Sequence, residues 1–314
     1  MEKVIEINNL TKKYAKSNIN AVDNISFDVG GGEFFAFLGP NGAGKTTTIS
    51  ILTTTLSKTK GTVKIAGYDL DTETKKVREN IGIIFQSHSL DIDLSAEQNI
   101  RFHACLYGMY VFKPSFKMMN KEYKAKVLEL AKIVGIEECL FKKVSKLSGG
   151  QKRKLEIIRS LIHTPKVLFL DEPTQGLDAN SRRALWKYID SVRKKYNTTI
   201  FLTTHYIDEA ELADRVCIIN KGKIAKLDTP ENLKKELLRP ELIIDSEDRN
   251  GLERELKEKN LEYKIDRHII VNCLGLSFQD VILSIKTKLN FLNTHEPSLE
   301  DAYIEFLNIK EDKQ

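Results

Sequence analysis

Residues 34–50 read FFAFLGPNGAGKTTTIS. Five apolar residues, Phe34 to Leu38, show no polar alternation, which describes a strand covered on both faces in a parallel α/β sheet. The run passes directly into Gly39-Pro40-Asn41-Gly42-Ala43-Gly44-Lys45-Thr46, an unbroken match to GxxxxGK[ST]. Glycines at those places let backbone N–H groups turn inward around phosphate oxygens, and the helix that follows adds the positive end of its dipole. Lys45 is expected to reach the β- and γ-phosphates. Thr46 offers a hydroxyl to Mg²⁺, and Thr47 is placed to contact a nearer phosphate. With a strand before it and KTTT after it, this stretch reads as a nucleoside triphosphate site and not as an ordinary glycine-rich turn.

A second apolar strand, Val167 to Leu170, ends in Asp171 and Glu172. Asp171, closing the strand, suits the magnesium partner of a phosphate-loop enzyme. Glu172 lies one residue beyond, where its carboxylate can polarise a water attacking the γ-phosphate. Two adjacent carboxylates favour hydrolysis over transfer of the phosphoryl group to another substrate.

Composition bounds the rest. The chain has 314 residues, 41% hydrophobic and 30% charged, enough for about two domains at roughly 150 residues each. The charge-free run Phe102 to Phe112 has eleven residues, against the ~20 needed to cross a bilayer. MEKVIEINNL at the N-terminus carries acids and no apolar core, unlike a secretory signal. Cys105, Cys139, Cys217 and Cys273 have no CxxC spacing and read as reduced, buried small hydrophobes. The net charge of +5 falls short of a nucleic-acid footprint. It would also suit the face of an anionic membrane.

Residues 146–154, KLSGGQKRK, pose a separate question. Leu155, Ile158 and Ile162 follow at helical offsets, so Lys152, Arg153 and Lys154 fall in a helix's first turn, where the dipole is already positive. That placement is unfavourable unless an anion arrives, yet a complete phosphate loop lies elsewhere.

With these motifs in this order, residues 4 to about 228 resemble the ATP-binding subunit of an ATP-binding cassette (ABC) transporter. KLSGGQ resembles the family's signature. The resemblance implies that Ser148, Gly149, Gly150 and Gln151 of one subunit cap the γ-phosphate held by its partner, in a head-to-tail pair enclosing two ATP molecules. It also implies an α/β P-loop NTPase core (ABC ATPase) with an antiparallel β subdomain, an inserted helical subdomain and a small C-terminal α+β module. By the same resemblance Tyr14 stacks on adenine, and Gln86, after the strand-like IGIIF, contacts Mg²⁺ and senses the membrane partner. Asp178, in QGLD, links the two active sites, and His205, after TTIFLTT, bonds the γ-phosphate. Lys45, Glu172 and His205 are then the catalytic group, and Thr46, Gln86 and Asp171 the metal group. A homodimer, or a heterodimer with a similar subunit, would sit at the cytoplasmic face of the membrane against a separate transmembrane permease. No nucleic acid is expected.

Within an ATP-binding domain of residues 1–228, residues 87–145 read as the helical insertion. Val127, Leu130, Ile133 and Val134 supply its apolar stripe, and the aromatics at 107–112 read as core. SHSLDIDLSAEQNI resembles the permease-facing segment of the export branch, with Gln98 where relatives usually carry glutamate. INKGKIAKLD reads as an edge hairpin. Residues 229–314 then alternate: LIIDS and HIIVNC as strands, GLERELKEK and SFQDVILSIKTKL as helices. Ile243, Ile244, Ile269, Ile270, Val271, Leu283 and Phe306 are the expected core. The runs KEKN and KEDKQ read as solvated surface. The closing PSLEDAYIEFL resembles the drug-resistance and polysaccharide or lipid export branch, while an importer is opposed by that tail alone. A translation-associated relative would carry two cassettes and a DNA-repair relative a long coiled coil. A scaffold protein would carry a damaged site, whereas Lys45, Asp171, Glu172 and His205 are all present.

Overall fold

The computed structural model describes residues 2–15, 17–86, 89–237, 241–273, 275–295 and 298–308. It divides into two units, Met1–Leu227 and Asp228–Gln314. In the first, β1 (Lys3–Lys13) and β2 (Asn20–Gly30) pair antiparallel before β3 (Phe34–Leu38) leads into α1 (Lys45–Leu52). β4 (Lys60–Ile65) and the short β5 (Tyr68–Asp69) complete an antiparallel sheet in the order β2-β1-β4-β5. Next come α2 (Thr74–Glu79), β6 (Ile81–Ile84), and three helices, α3 (Ala96–Leu106), α4 (Lys121–Val134) and α5 (Gly149–Leu161). The chain returns through β7 (Val167–Asp171), α6 (Ala179–Tyr196), β8 (Thr199–Thr204), the one-turn α7 (Ile207–Ala210), β9 (Arg215–Asn220) and β10 (Lys223–Asp228).

The second sheet runs β10-β9-β3-β8-β7-β6. β3 is parallel to β8 and β9, and β7 to β6 and β8. All five residues of β3 and of β7 are buried, which accounts for their unbroken apolar runs. Only Lys221 and Gly222, both at positive φ, join β9 to β10. A two-residue connection makes a hairpin, so β10 is the antiparallel edge that INKGKIAKLD suggested. Parallel register aligns Leu38 with Thr204, and Asp171 with Thr203. The phosphate loop, the two carboxylates and His205 therefore emerge at one end of the sheet, where ligands of open α/β sheets bind. The antiparallel sheet joins this core through aromatic stacking, with Phe27 5.3 Å from Phe35 and Phe35 5.5 Å from Phe201.

The segment from 89 to 145 is mainly helical. Asn120 caps α4 by accepting from Tyr123 N, and Gly135 ends it in the left-handed region. Tyr123, Val127, Leu130, Ala131 and Val134 form its buried stripe, with Ile133 set to one side. Gln98 has a local explanation: Ser95 and Gln98 form a reciprocal capping box on α3, which an amide serves as well as a carboxylate. The aromatics at 107–112 divide. Tyr107 stacks on His163 and Tyr110 edges Tyr123, whereas Phe112 is half exposed against Phe102.

The second unit contains α8 (Pro230–Leu237), β11 (Glu241–Asp245), α9 (Arg249–Glu258), β12 (Tyr263–Ile265), β13 (Ile269–Asn272), α10 (Phe278–Ser284), β14 (Phe291–His295) and α11 (Leu299–Asn308). Its antiparallel sheet has the order β12-β13-β11-β14, so β11 to β14 form a ferredoxin-like split βαββαβ. Leu242, Ile244, Leu252, Ile269, Val271 and Val281 are buried together. Ile243 and Ile270 point to the opposite face because strand side chains alternate, and Leu283 is 74% exposed because it lies on the face of α10 opposite Phe278, Val281 and Ile282, which pack on the core. The long helix expected over SFQDVILSIKTKL ends at Ser284, and residues 285–290 form a loop that leads into β14. KEDKQ, and Pro297 of the closing motif, lie outside the described residues.

Candidate active site

Gly44 sits at φ 107°, and a Cβ there would stand 2.5 Å from the carbonyl oxygen of Ala21. Neither the conformation nor the space accepts a side chain, and the chain can thus turn from β3 into α1 in six residues. Lys45, the first residue of α1, is 4% exposed. Its Nζ donates to the carbonyls of Gly39 (2.7 Å) and Pro40 (3.2 Å). It also lies 3.6 Å from Glu172 Oε1. Burial lowers the pKa of Lys45, while Glu172 and then Asp171 oppose that shift. Thr46 and Thr47 line the adjoining cleft. Thr47 Oγ1 is 3.3 Å from the hydroxyl of Tyr14, which follows β1 and is 43% exposed.

Asp171 and Glu172 are both buried at the end of β7. Thr203 donates its hydroxyl to Asp171 Oδ1, yet burial still raises that carboxyl's pKa. Glu172 has φ +44°, a left-handed conformation that costs a non-glycine residue on the order of 1–3 kcal/mol. Its N–H donates to Thr203 O (3.0 Å), and its Oε1 lies 3.2 Å from Nδ1 of His205, without the geometry of a hydrogen bond. Lys45, Glu172 and His205 thus meet around one carboxylate oxygen.

These three, with Asn41, Gly42, Gly44, Gln86 and Gln175, line an open cleft of about 410 Å³. Gln86 Nε2 donates to Gln175 Oε1 (2.7 Å). Gln175 had no signal in the sequence apart from standing three residues after Glu172. Glu209 is a second such residue. It is buried, and accepts from the hydroxyls of Thr174 and Thr204 (2.7 Å for the latter), so it holds the segments after Glu172 and before His205 together. Burial raises its pKa.

The signature residues do not join this cleft. Ser148 caps α5 by accepting from Gln151 N, and Gln151 Oε1 accepts from Ser148 N (2.9 Å). Gly149 is exposed, and Gly150 lines a different cavity with Asn180 and Ser181. Asp178 caps α6, accepting from Asn180 N, Ser181 N and Ser181 Oγ. The cationic cluster at the start of α5 also resolves differently from the sequence expectation. Arg153 turns inward, 3% exposed, and pairs with Glu156 at 2.9 Å. Lys154 donates to the Tyr188 hydroxyl (3.1 Å). Hence two of the three cations already have partners within the chain.

The ABC transporter family model matches residues 22–175. Over 306 residues, 96% of each chain, the sequence is 32% identical to the Nod factor export ATP-binding protein I of Paraburkholderia xenovorans (strain LB400). It is 37% identical over 233 residues to the probable multidrug ABC transporter ATP-binding protein YbhF of Escherichia coli (strain K12), covering 74% of this chain and 38% of YbhF. The chain therefore matches well under half the length of that relative. Among solved structures, the dimeric post-hydrolysis state of the ATP-binding cassette MJ0796, bound to ADP and Pi, superposes with a TM-score of 0.63 at 27% identity. That likeness covers 72% of this chain and 98% of the cassette.

Proposed function

Since this chain belongs to the family of ABC transporter ATP-binding proteins, we propose that it is the ATP-hydrolysing subunit of an exporter whose permease is a separate chain. Among the described residues no helix is long and apolar enough to cross a membrane. The names of the export and multidrug relatives support the direction of transport, and membership of the family supports a peripheral place at the cytoplasmic membrane face.

The observation that carries the reading is the meeting of Lys45, Glu172 and His205 in one cleft at the carboxyl end of parallel strands. Lys45 is held by two backbone carbonyls and one carboxylate. An entering γ-phosphate takes the place of Glu172 on Lys45, freeing that carboxylate to accept a proton from water as general base. His205 then lies beside the same phosphate. The backbone N–H groups from Asn41 to Thr47 and the N-terminus of α1 bind the phosphates, and Tyr14 offers its ring to adenine.

The donor set fits Mg²⁺. Asp171 is a buried carboxylate, and burial raises its pKa, so a cation beside it would favour its charged form; Thr46 and Gln86 add a hydroxyl and an amide oxygen. Among the described residues no group of three or more His, Cys, Asp or Glu could hold a metal alone. That agrees with an ion retained through one carboxylate and the nucleotide's own phosphates. When bound, it neutralises charge between the β- and γ-phosphates.

The cleft lacks Ser148 to Gln151, and it is open. A second subunit presenting its own signature closes it, with Asp178 at the junction. Glu172→Gln tests the assignment: turnover should fall ~10²–10⁴-fold with ATP binding kept. Loss of ATP affinity equal to that of Lys45→Ala would contradict it.

A further inference from the structure

α5 begins at the signature and packs against α3, α4 and β6, and one of its faces carries Arg153, Glu156 and Arg159 at successive turns. Arg153 and Glu156 are 3% and 1% exposed, an unusual burial for charges so near a surface motif. The guanidinium makes four directed contacts. Nε donates to Pro173 O (2.7 Å), one terminal nitrogen to Phe85 O (2.6 Å) and to Glu156 Oε2 (2.9 Å), and the other, more weakly, to Glu172 O (3.5 Å). Glu156 Oε1 accepts from Ser89 N (3.0 Å), and Arg159 donates to Ser89 O (2.6 Å). The three side chains thus grip the backbone on either side of Gln86 and the backbone of Glu172 and Pro173.

We propose that Arg153, oriented by Glu156, is a positioning residue for hydrolysis that ties the signature helix to the Glu172 backbone and the Gln86 segment of the same chain. The proposal rests on Glu172 being the general base. Glu172 is at positive φ, and its side-chain direction depends on a backbone that ordinary residues leave. A planar fork bonded to the successive carbonyls of Glu172 and Pro173 restrains that backbone. A lysine, a single point charge, cannot serve three carbonyls and a carboxylate in one plane. Because the signature faces the partner's nucleotide, movement of α5 as the dimer closes is transmitted to the base of its own chain's site. The two ATP sites are then linked within each subunit through α5.

Two variants separate positioning from stability. Arg153→Lys keeps a cation beside Glu156. The pair Arg153→Met/Glu156→Leu replaces a buried ion pair by apolar groups of similar volume, a change that proteins often accept without loss of stability. Melting temperature, binding of a fluorescent ATP analogue, and kcat and KM for ATP are measured on each. A misplacement of about 1 Å in a catalytic group can lower turnover ~10²-fold. Both variants should therefore lose ~10- to 100-fold in kcat while KM and analogue affinity stay within about threefold. In a Glu172→Gln background, Arg153→Lys should cost nothing further in single-turnover rate, since both changes act through one group. If either variant melts near the parent and keeps its kcat within twofold, or if the two losses are additive, the proposal is overturned. If Glu172→Gln alone leaves turnover unchanged, the assignment of the base has failed. If it abolishes turnover while the apolar pair is fully active, the failure is confined to Arg153.

Discussion

Glu172→Gln should do more than stop turnover: it should change what ATP does to the protein's stability. In the nucleotide-free chain the Glu172 carboxylate lies 3.6 Å from Lys45 Nζ, and both side chains are buried. At an effective dielectric of ~20 the gross attraction at that distance is about 4–5 kcal/mol. Neutralising Glu172 leaves the buried Lys45 cation without its counter-charge, and removing one partner of a buried pair costs about 3–5 kcal/mol. For a unit of this size each kcal/mol moves the melting temperature by about 2–4 °C, which gives a fall of about 6–20 °C without nucleotide. With ATP the balance reverses. Lys45 no longer has an anionic competitor, and the γ-phosphate meets a neutral amide in place of a carboxylate. Mg-ATP should then raise the melting temperature of the variant by more than it raises that of the parent. Thermal melts of both proteins across an ATP titration, read beside phosphate release, test the two halves separately. A variant that is destabilised without ATP and gains less from ATP than the parent does would refute the competition between Glu172 and phosphate. Turnover within tenfold of the parent would refute the base.

If, as proposed, each site draws its phosphate loop and its signature from different subunits, mixing Lys45→Ala chains with Ser148→Arg chains should restore about one working site per mixed dimer. If size-exclusion chromatography in Mg-ATP and a Glu172→Gln background shows only monomers, with and without the permease, the shared site fails. Truncation after Asp228 should leave a folded, ATP-binding protein whose turnover depends more steeply on protein concentration, the second unit acting to hold subunits near each other; a truncated chain that keeps its circular dichroism but cannot bind ATP rules this out. His103 is the pH-sensitive group of the helical segment: burial first, then Arg159 and His163, lower its pKa to about 3. Kept neutral in the fold, it contributes stability that is complete above its unfolded pKa near 6.5 and is lost as pH falls toward 3. Between pH 6.5 and 5 the loss is about 2 kcal/mol, and denaturant titrations of His103→Phe should show a shallower decline over that interval than the parent.

The phosphate loop and the carboxylates after β7 were legible because each rests on local geometry, whereas the histidine after β8 was singled out by the resemblance to the family. Glycines permit the turn, an unbroken apolar run means a strand covered on both faces, and polar residues at the end of such a strand stand at the sheet's carboxyl edge. The reciprocal cap of Ser148 and Gln151 has a sequence spacing of three, but the resemblance assigns both residues to the partner's γ-phosphate, and the structure shows them satisfying one another. What the residues do across distance was hidden. Arg153 looked like one of three cations awaiting an anion, and only the packing of α5 against the ends of β6 and β7 turns it inward onto Phe85, Glu172 and Pro173. Spacing of three from Glu156 was available in the sequence, but a solvated helix face reads the same way. Gln175 and Glu209 matter through partners 89 and 35 residues away, Gln86 and Thr174, a separation that no periodicity encodes. In the second unit, alternation placed strands correctly but assigned Ile243 and Ile270 to the core beside Ile244 and Ile269. A strand's period of two says which residues share a face, and only the helices packed on the sheet decide which face is buried.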